Sequence, residues 1–155
     1  GGKMKPLTQM AKEIHADNRV KGFYDQVTYV LDSLKCAAMK GGNQSMYVAH
    51  SFVWNSFIVQ QMALIITEMS EAIEKLRKDG IDVDLEPHSL DNELTYDENN
   101  KIFEMKYKDT VQDELADTLI RLLDLVGFLG IDIDGWVEAK LRYNKSRPHK
   151  HGKRF

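Results

Sequence analysis

Cysteine is almost absent from this chain: Cys36 stands alone among 155 residues. No internal disulfide can form, and a reducing cytoplasm is the expected setting. Long apolar runs are missing as well. Met62-Ala63-Leu64-Ile65-Ile66 is typical of those present, far short of the roughly 18 to 20 residues that span a bilayer. The opening Gly1-Gly2-Lys3-Met4 lacks the apolar stretch of a secretory signal, and reads as a cloning remnant before a native Met4. A basic surplus is lacking too. Twenty-one Lys and Arg against 24 Asp and Glu leave a net charge of -3, so no global positive field draws the chain onto nucleic acid. No Gly-x-x-x-x-Gly-Lys-Ser/Thr loop occurs, which excludes a P-loop enzyme. What is present, 43% hydrophobic and 29% charged residues, fits one soluble domain over 1–155 with a real hydrophobic core.

The hydrophobic period is helical. Thr8 can cap a helix over 8–20, broken by Lys21-Gly22. A second helix starts at Tyr24 or Asp25 and runs to Met39, ahead of Gly41-Gly42-Asn43. Ser45 opens the longest, over 45–78, stopped by Asp79-Gly80. Its positions Ile58, Met62, Ile65, Met69, Ala72, Ile73 and Leu76 recur at three and four, as one buried stripe requires. Asp109 or Thr110 caps the next, where Leu115, Leu119, Leu122, Val126 and Leu129 form a second stripe before Gly130. Asp132 or Asp134 starts a last helix to about Asn144. Only residues 80–108 leave this period. Phe103, Met105 and Tyr107 alternate with charges after the turn-like Asp97-Glu98-Asn99-Asn100, which predicts a small loop or β-hairpin insertion. The fold class implied is all-α, an antiparallel helix bundle with one insertion between its two strongest helices.

Those two helices carry the chemistry. Glu68 and Glu71 lie three apart on the shoulder of the first stripe, and Glu114 and Asp117 repeat the arrangement beside the second. If the stripes pack together, four carboxylates converge. Two such charges about 5 Å apart repel by roughly 3 kcal/mol at an effective dielectric of about 20. Protonation, basic partners or a bound cation must offset that, and a hard divalent cation such as Mg²⁺ is the simplest answer. The plainer reading is ordinary helix surface, with Glu71 paired to Lys75 and Glu74 to Lys78. A di-iron bundle would need Glu-x-x-His pairs, but positions 71 and 117 are Glu and Asp. No Cys or His lies close in sequence to either pair, which argues against Zn²⁺.

The wording around these pairs is Ile66-Thr67-Glu68-Met69-Ser70-Glu71-Ala72-Ile73-Glu74 and Asp113-Glu114-Leu115-Ala116-Asp117-Thr118-Leu119-Ile120-Arg121-Leu122-Leu123-Asp124. It resembles the MazG-like family of all-α nucleoside triphosphate pyrophosphohydrolases. The tail, Lys140-Leu141-Arg142-Tyr143-Asn144-Lys145-Ser146-Arg147-Pro148 with His151-Gly152-Lys153-Arg154-Phe155, resembles the ending of one phage and bacterial branch. His15, Asn18 and Lys21-Gly22-Phe23-Tyr24 match more loosely. The resemblance implies hydrolysis between the α- and β-phosphates, giving a nucleoside monophosphate and pyrophosphate. It also implies Mg²⁺, with Mn²⁺ as a substitute, held by Glu68, Glu71, Glu114 and Asp117. Lys75, Asn144, Lys145 and Arg147 are the candidates for holding the substrate. A homo-oligomer, dimer or tetramer, is implied as well, and sanitation of the nucleotide pool is one role that would follow. Forty-two residues separate Glu71 from Glu114, longer than the usual connection, and the excess is the 80–108 segment.

From position 140 onward the chain has seven Lys or Arg, His149 and His151, and no acidic residue. Such a tail is either a solvated terminus, a phosphate clamp or a short nucleic-acid arm. The few interleaved aromatics speak against the last. Trp54 and Trp136 are expected in the core or a subunit interface. Phe23 and Tyr24 are expected to pack in the core or border a base pocket, and Cys36 to be a small buried residue. His15, His50 and His88 are scattered and receive no chemical role. Phe52, Val53, Trp54, Phe57, Ile58 and Val59 make the long helix apolar over more than one face, which also predicts a homo-oligomer. The rival to an enzyme is a catalytically silent helical module that binds nucleotides or a protein.

Overall fold

Six α-helices, and no strand among the described residues, form the chain in this computed structural model, which describes residues 5–41, 44–86 and 94–147. The expected all-α class is what the chain adopts. The helices are α1 (Leu7–Val20), α2 (Asp25–Gly41), α3 (Gln44–Asp79), α4 (Tyr96–Lys106), α5 (Val111–Leu129) and α6 (Ile133–Ser146). Chain contacts divide into two units, one of Gly1–Val30 with Leu123–Phe155 and one of Leu31–Leu122. None of the described helices is long and apolar enough to cross a membrane.

In the first unit, α1 and α6 cap one another. Pro6 precedes α1 and offers no side-chain cap. The first free N–H groups of α1 are taken instead by Asp134, Leu7 N at 3.0 Å from Oδ1 and Thr8 N at 2.8 Å from Oδ2. In return the Asp134 N–H donates to Thr8 Oγ1 at 3.2 Å. Asp132 caps α6 by accepting from Gly135 N at 3.3 Å. Two carboxylates thus meet two helix N-termini, where the peptide dipoles favour negative charge. Thr8 serves here as a partner of α6 rather than as the N-cap expected of it.

The hydrogen bonds from Thr8 and Leu7 hold the Asp134 carboxyl below the usual aspartate range. A depressed native pKa contributes stability above the unfolded value of about 3.9 that is lost as pH falls. Asp134→Asn is therefore expected to melt lower than the parent at pH 7. The two melting curves should converge as acid titrates the parent carboxylate, which thermal denaturation at a series of pH values will test.

The core of this unit is Ala11, Leu123 and Val126, with Leu7, Met10, Ile14, Ile131 and Ile133 packed against it. Gly127 makes the approach possible, because a Cβ there would lie 2.3 Å from the Ala11 carbonyl oxygen and 2.7 Å from His15 Cβ. Gly130 ends α5 with φ 64°, the left-handed conformation that glycine adopts at least cost. Ile131 N then reaches back to Val126 O at 3.2 Å.

In the second unit the sequence expectations need two corrections. The described part of the insertion contains α4, not a hairpin. Thr95 and Glu98 form a complete capping box: Glu98 N donates to Thr95 Oγ1 at 3.3 Å and Thr95 N to Glu98 Oε2 at 2.8 Å. That start signal overrides the two-residue alternation of Phe103, Met105 and Tyr107. Residues 87–93, with His88, lie outside the described residues. The second correction concerns the stripe on α3, of which Ala72 is buried while Met62, Met69, Ile73 and Leu76 are exposed. On α5, Leu115, Leu119 and Leu122 are exposed too, and the buried apolar positions are Val111, Leu123, Leu125 and Val126. Among the described residues nothing covers these side chains.

Cys36 is exposed rather than buried. Trp136 is 69% exposed, so it is no core residue, and Phe23 is exposed while Tyr24 is buried.

Candidate metal centre

The second unit buries two acids, Glu68 and Glu114, against the usual preference of ionised groups for water. Glu68 sits one turn before buried Ala72 on α3. Glu114 lies in the first turn of α5, whose start is set by Thr110: its Oγ1 accepts from Asp113 N at 3.2 Å and donates to Tyr107 O at 2.7 Å. Asp117 follows Glu114 by three residues and Arg121 follows Asp117 by four, so the three share one face of α5. Across from them, Arg121 Nε donates to Glu68 Oε1, joining α3 to α5.

One carboxylate oxygen each from Glu68, Glu114 and Asp117 lies within 4.8 Å of the other two. Burial raises the Glu114 pKa above the ordinary carboxylate value, and the charges of Glu71, Asp113, Glu68 and Asp117 add to the rise. Asp117 shifts the same way, through desolvation and then the charges of Asp113 and Glu68, with Arg121 opposing. Each pair of like charges at this spacing costs about 3 kcal/mol at an effective dielectric of about 20. Arg121 balances one of the three charges, and the remaining double negative charge suits a divalent cation. Three hard oxygen donors fit Mg²⁺ or Mn²⁺ better than a metal that prefers nitrogen or sulfur.

Of the four carboxylates expected to act together, three converge. Glu71 is exposed and stands outside the oxygen triad, although its charge is felt at Glu114. Lys75 faces Asp79 at 3.9 Å, not Glu71, whereas the expected Glu74–Lys78 pair forms at 2.7 Å. Asn144 and Lys145 are exposed in the last turn of α6, and Arg147 lies over the Tyr143 ring at 5.7 Å; all three belong to the first unit. Residues 148–155, the rest of the basic tail, lie outside the described residues. Arg121 was missed by the sequence reading, although its spacing from Glu114 and Asp117 places it on their face.

A second polar cluster lies in the first unit. Asp124, buried, meets His15 Nδ1 at 3.0 Å and accepts from Asn18 Nδ2 at 2.8 Å. Tyr24 stacks on Phe128 with centroids 5.2 Å apart and meets the His15 ring edge-on at 4.5 Å. Burial raises the Tyr24 phenol pKa, with a hydrogen bond to Asp124 and the charge of that residue adding to it. His15, scattered in sequence and given no role, is thus a fixed member of a buried network.

No family model, no curated protein and no solved structure matches this chain.

Proposed function

We propose that the chain is a Mg²⁺-dependent nucleoside triphosphate pyrophosphohydrolase, of the MazG-like kind that its paired carboxylate motifs resemble. One observation carries the reading: oxygens of Glu68, Glu114 and Asp117, from two helices, converge within 4.8 Å with two of the three residues buried. Acids are seldom buried together unless something of opposite charge joins them. When bound, Mg²⁺ supplies positive charge against the triphosphate oxygens. Glu68, Glu114 and Asp117 would hold it, and Arg121 fixes the Glu68 carboxylate by its ion pair. Glu71, exposed beside Glu114, takes the proton of the attacking water as general base. The water oxygen bonds to the α-phosphorus as the anhydride bond to the β-phosphate breaks, and pyrophosphate leaves with that electron pair. Lys75, Asn144, Lys145 and Arg147 are the proposed contacts to the substrate, and clearance of unwanted nucleotides is the proposed role.

The exposed apolar side chains of α3, with Phe52 at 72% and Ile66 at 66%, support a homo-oligomer in which a second copy covers them. A second reading has its own support. The Arg121–Glu68 ion pair ties α3 to α5 through side chains of the protein itself, a link that would serve a silent nucleotide- or protein-binding module equally well.

Incubation with ordinary and modified nucleoside triphosphates plus Mg²⁺, with the products resolved, separates the two. Monophosphate and pyrophosphate in equal amounts are expected. Diphosphate with phosphate would overturn the assigned bond, and folded protein that neither turns over nor binds Mg²⁺ in a titration would leave the silent module.

A further inference from the structure

The unit that carries the carboxylate triad also holds a cleft of about 240 Å³. Its apolar side is Leu85, Phe103 and Tyr107, and its polar side includes two acids, Glu86 and Asp113. Phe103 and Tyr107, one turn apart on α4 and its C-cap, hold their rings 5.9 Å apart at 32°, so together they form an aromatic wall. Phe103 is exposed. Gln112 Nε2 donates to Asp82 O, which fixes the segment after α3 against the start of α5. Asp113 Oδ2 accepts from Asp109 N at 2.8 Å, and Asp113 takes part in no ion pair among the described residues.

Position relative to the triad gives the cleft its meaning. Asp113 and Ala116 line the cleft, while Glu114 and Asp117 belong to the triad. The two triad acids on α5, Glu114 and Asp117, are thus each one residue beyond a cleft residue, a step of about 1.5 Å along a helix of 3.6 residues per turn. Cleft and triad therefore sit at the same height of α5, roughly a quarter turn apart. Drug-sized ligands occupy roughly 300 to 1,000 Å³. A space of 240 Å³ suits one ring system and not a whole nucleotide.

We propose that this cleft receives the nucleobase of the substrate and favours a base with an exocyclic amino group, such as cytosine or adenine, over uracil or thymine. The inference rests on the nucleotide hydrolysis proposed above. The aromatic wall offers a face for stacking, which every base can use. Asp113 supplies selection. Its carboxylate oxygens, on the cleft wall, are hydrogen-bond acceptors, which matches the N4 amino group of cytosine or the N6 amino group of adenine. It opposes the O4 acceptor of uracil or thymine. Phe103, Tyr107 and Asp113 would then act on substrate affinity and choice, leaving the bond-breaking step to the triad and Glu71.

The test uses the full chain and two independent readouts. The first is KM and kcat for dCTP, dATP, dTTP and dUTP, in the parent and in Phe103→Ala, Phe103→Trp and Asp113→Asn. Phe103→Ala is expected to raise KM for dCTP roughly tenfold with little change in kcat, as loss of one stacking contact does. Phe103→Trp should restore the parent value. Asp113→Asn, which can donate as well as accept, should narrow the dCTP to dUTP preference at least about fivefold. The second readout is binding of cytidine, uridine and ribose 5-phosphate without metal, followed by amide NMR shifts in the labelled protein. Cytidine should perturb Phe103, Tyr107 and Asp113 more than uridine does, and ribose 5-phosphate should leave them unmoved. Hydrolysis with the parent base profile retained in Phe103→Ala and Asp113→Asn would overturn the cleft while leaving the reaction standing. Cytidine-selective shifts in a protein that hydrolyses nothing would retain the cleft and overturn the reaction. Equal shifts with cytidine and uridine would overturn the selection by Asp113.

Discussion

Glutamine in place of Glu114 is expected to abolish Mg²⁺ binding and lower turnover by about a thousandfold, equivalent to about 4 kcal/mol of lost transition-state stabilisation. The same change should make the metal-free protein more stable, and this opposition of signs is the informative part. Burial and four neighbouring acids raise the Glu114 pKa in the folded chain. A raised native pKa means stability that is present below the unfolded value of about 4.3 and lost as pH rises through the folded one. Glutamine removes that loss. At pH 7.5 the metal-free variant should therefore melt above the metal-free parent, and near pH 4 the difference should close. Added Mg²⁺ should raise the melting temperature of the parent, by mass action on the folded state, and leave the variant where it was. Thermal melts with and without Mg²⁺ at the two pH values, run beside product assays, check all of these expectations. A variant that is both active and less stable would mark Glu114 as an ordinary structural acid.

Glu71→Gln supplies the contrasting case, since Glu71 lies outside the triad. Its expected signature is lost turnover with metal binding kept.

The largest expected effect on folding belongs to Gly127→Ala. A single added Cβ would meet the Ala11 carbonyl at 2.3 Å and His15 Cβ at 2.7 Å, so α1 and α5 must separate. The contact lies in the core formed by Ala11, Leu123 and Val126, with Leu123 only 2% exposed. Overpacking of this kind costs about 3 kcal/mol, or about 6 to 12 °C in melting temperature for a chain of this size. Gly130→Ala is the control, because nothing lies within 4 Å of its Cβ and only the left-handed φ of 64° opposes it. About 1 kcal/mol is expected there. Urea or thermal midpoints will rank the two. Equal effects would mean that the α1–α5 approach is not tight.

Why some of this was legible in the sequence and some was not follows from which interactions are local. Helix boundaries were readable because their signals lie within a turn: Asp132 before α6, Thr110 before α5 and Gly130 after it. The signal for α4 was equally local, since Thr95 and Glu98 stand three apart, but the alternation at Phe103, Met105 and Tyr107 drew the reading towards strands. Glu68, Glu114 and Asp117 could be found because spacing places acids on helix faces beside apolar stripes. The Arg121–Glu68 and Asp124–His15 pairs could not, as they join positions 53 and 109 residues apart. Periodicity also says that a face is apolar without saying what covers it. The stripe on α3 was therefore read as buried, yet much of it is open within one copy.

The mutual capping of α1 and α6 has a consequence for how the protein is made. Thr8 and Asp134 exchange hydrogen bonds across 126 positions, and the unit they close takes its chain from before Val30 and after Leu123. A ribosome adding about 5 to 20 residues per second needs about 5 to 20 seconds to cross the stretch between. Throughout that interval the start of α1 is in the nascent chain without its cap, and the apolar face that Leu123 and Val126 will cover is open to water. The earlier-made half of this unit thus waits for the later one, and its exposure to chaperones or to another nascent copy is set by elongation speed.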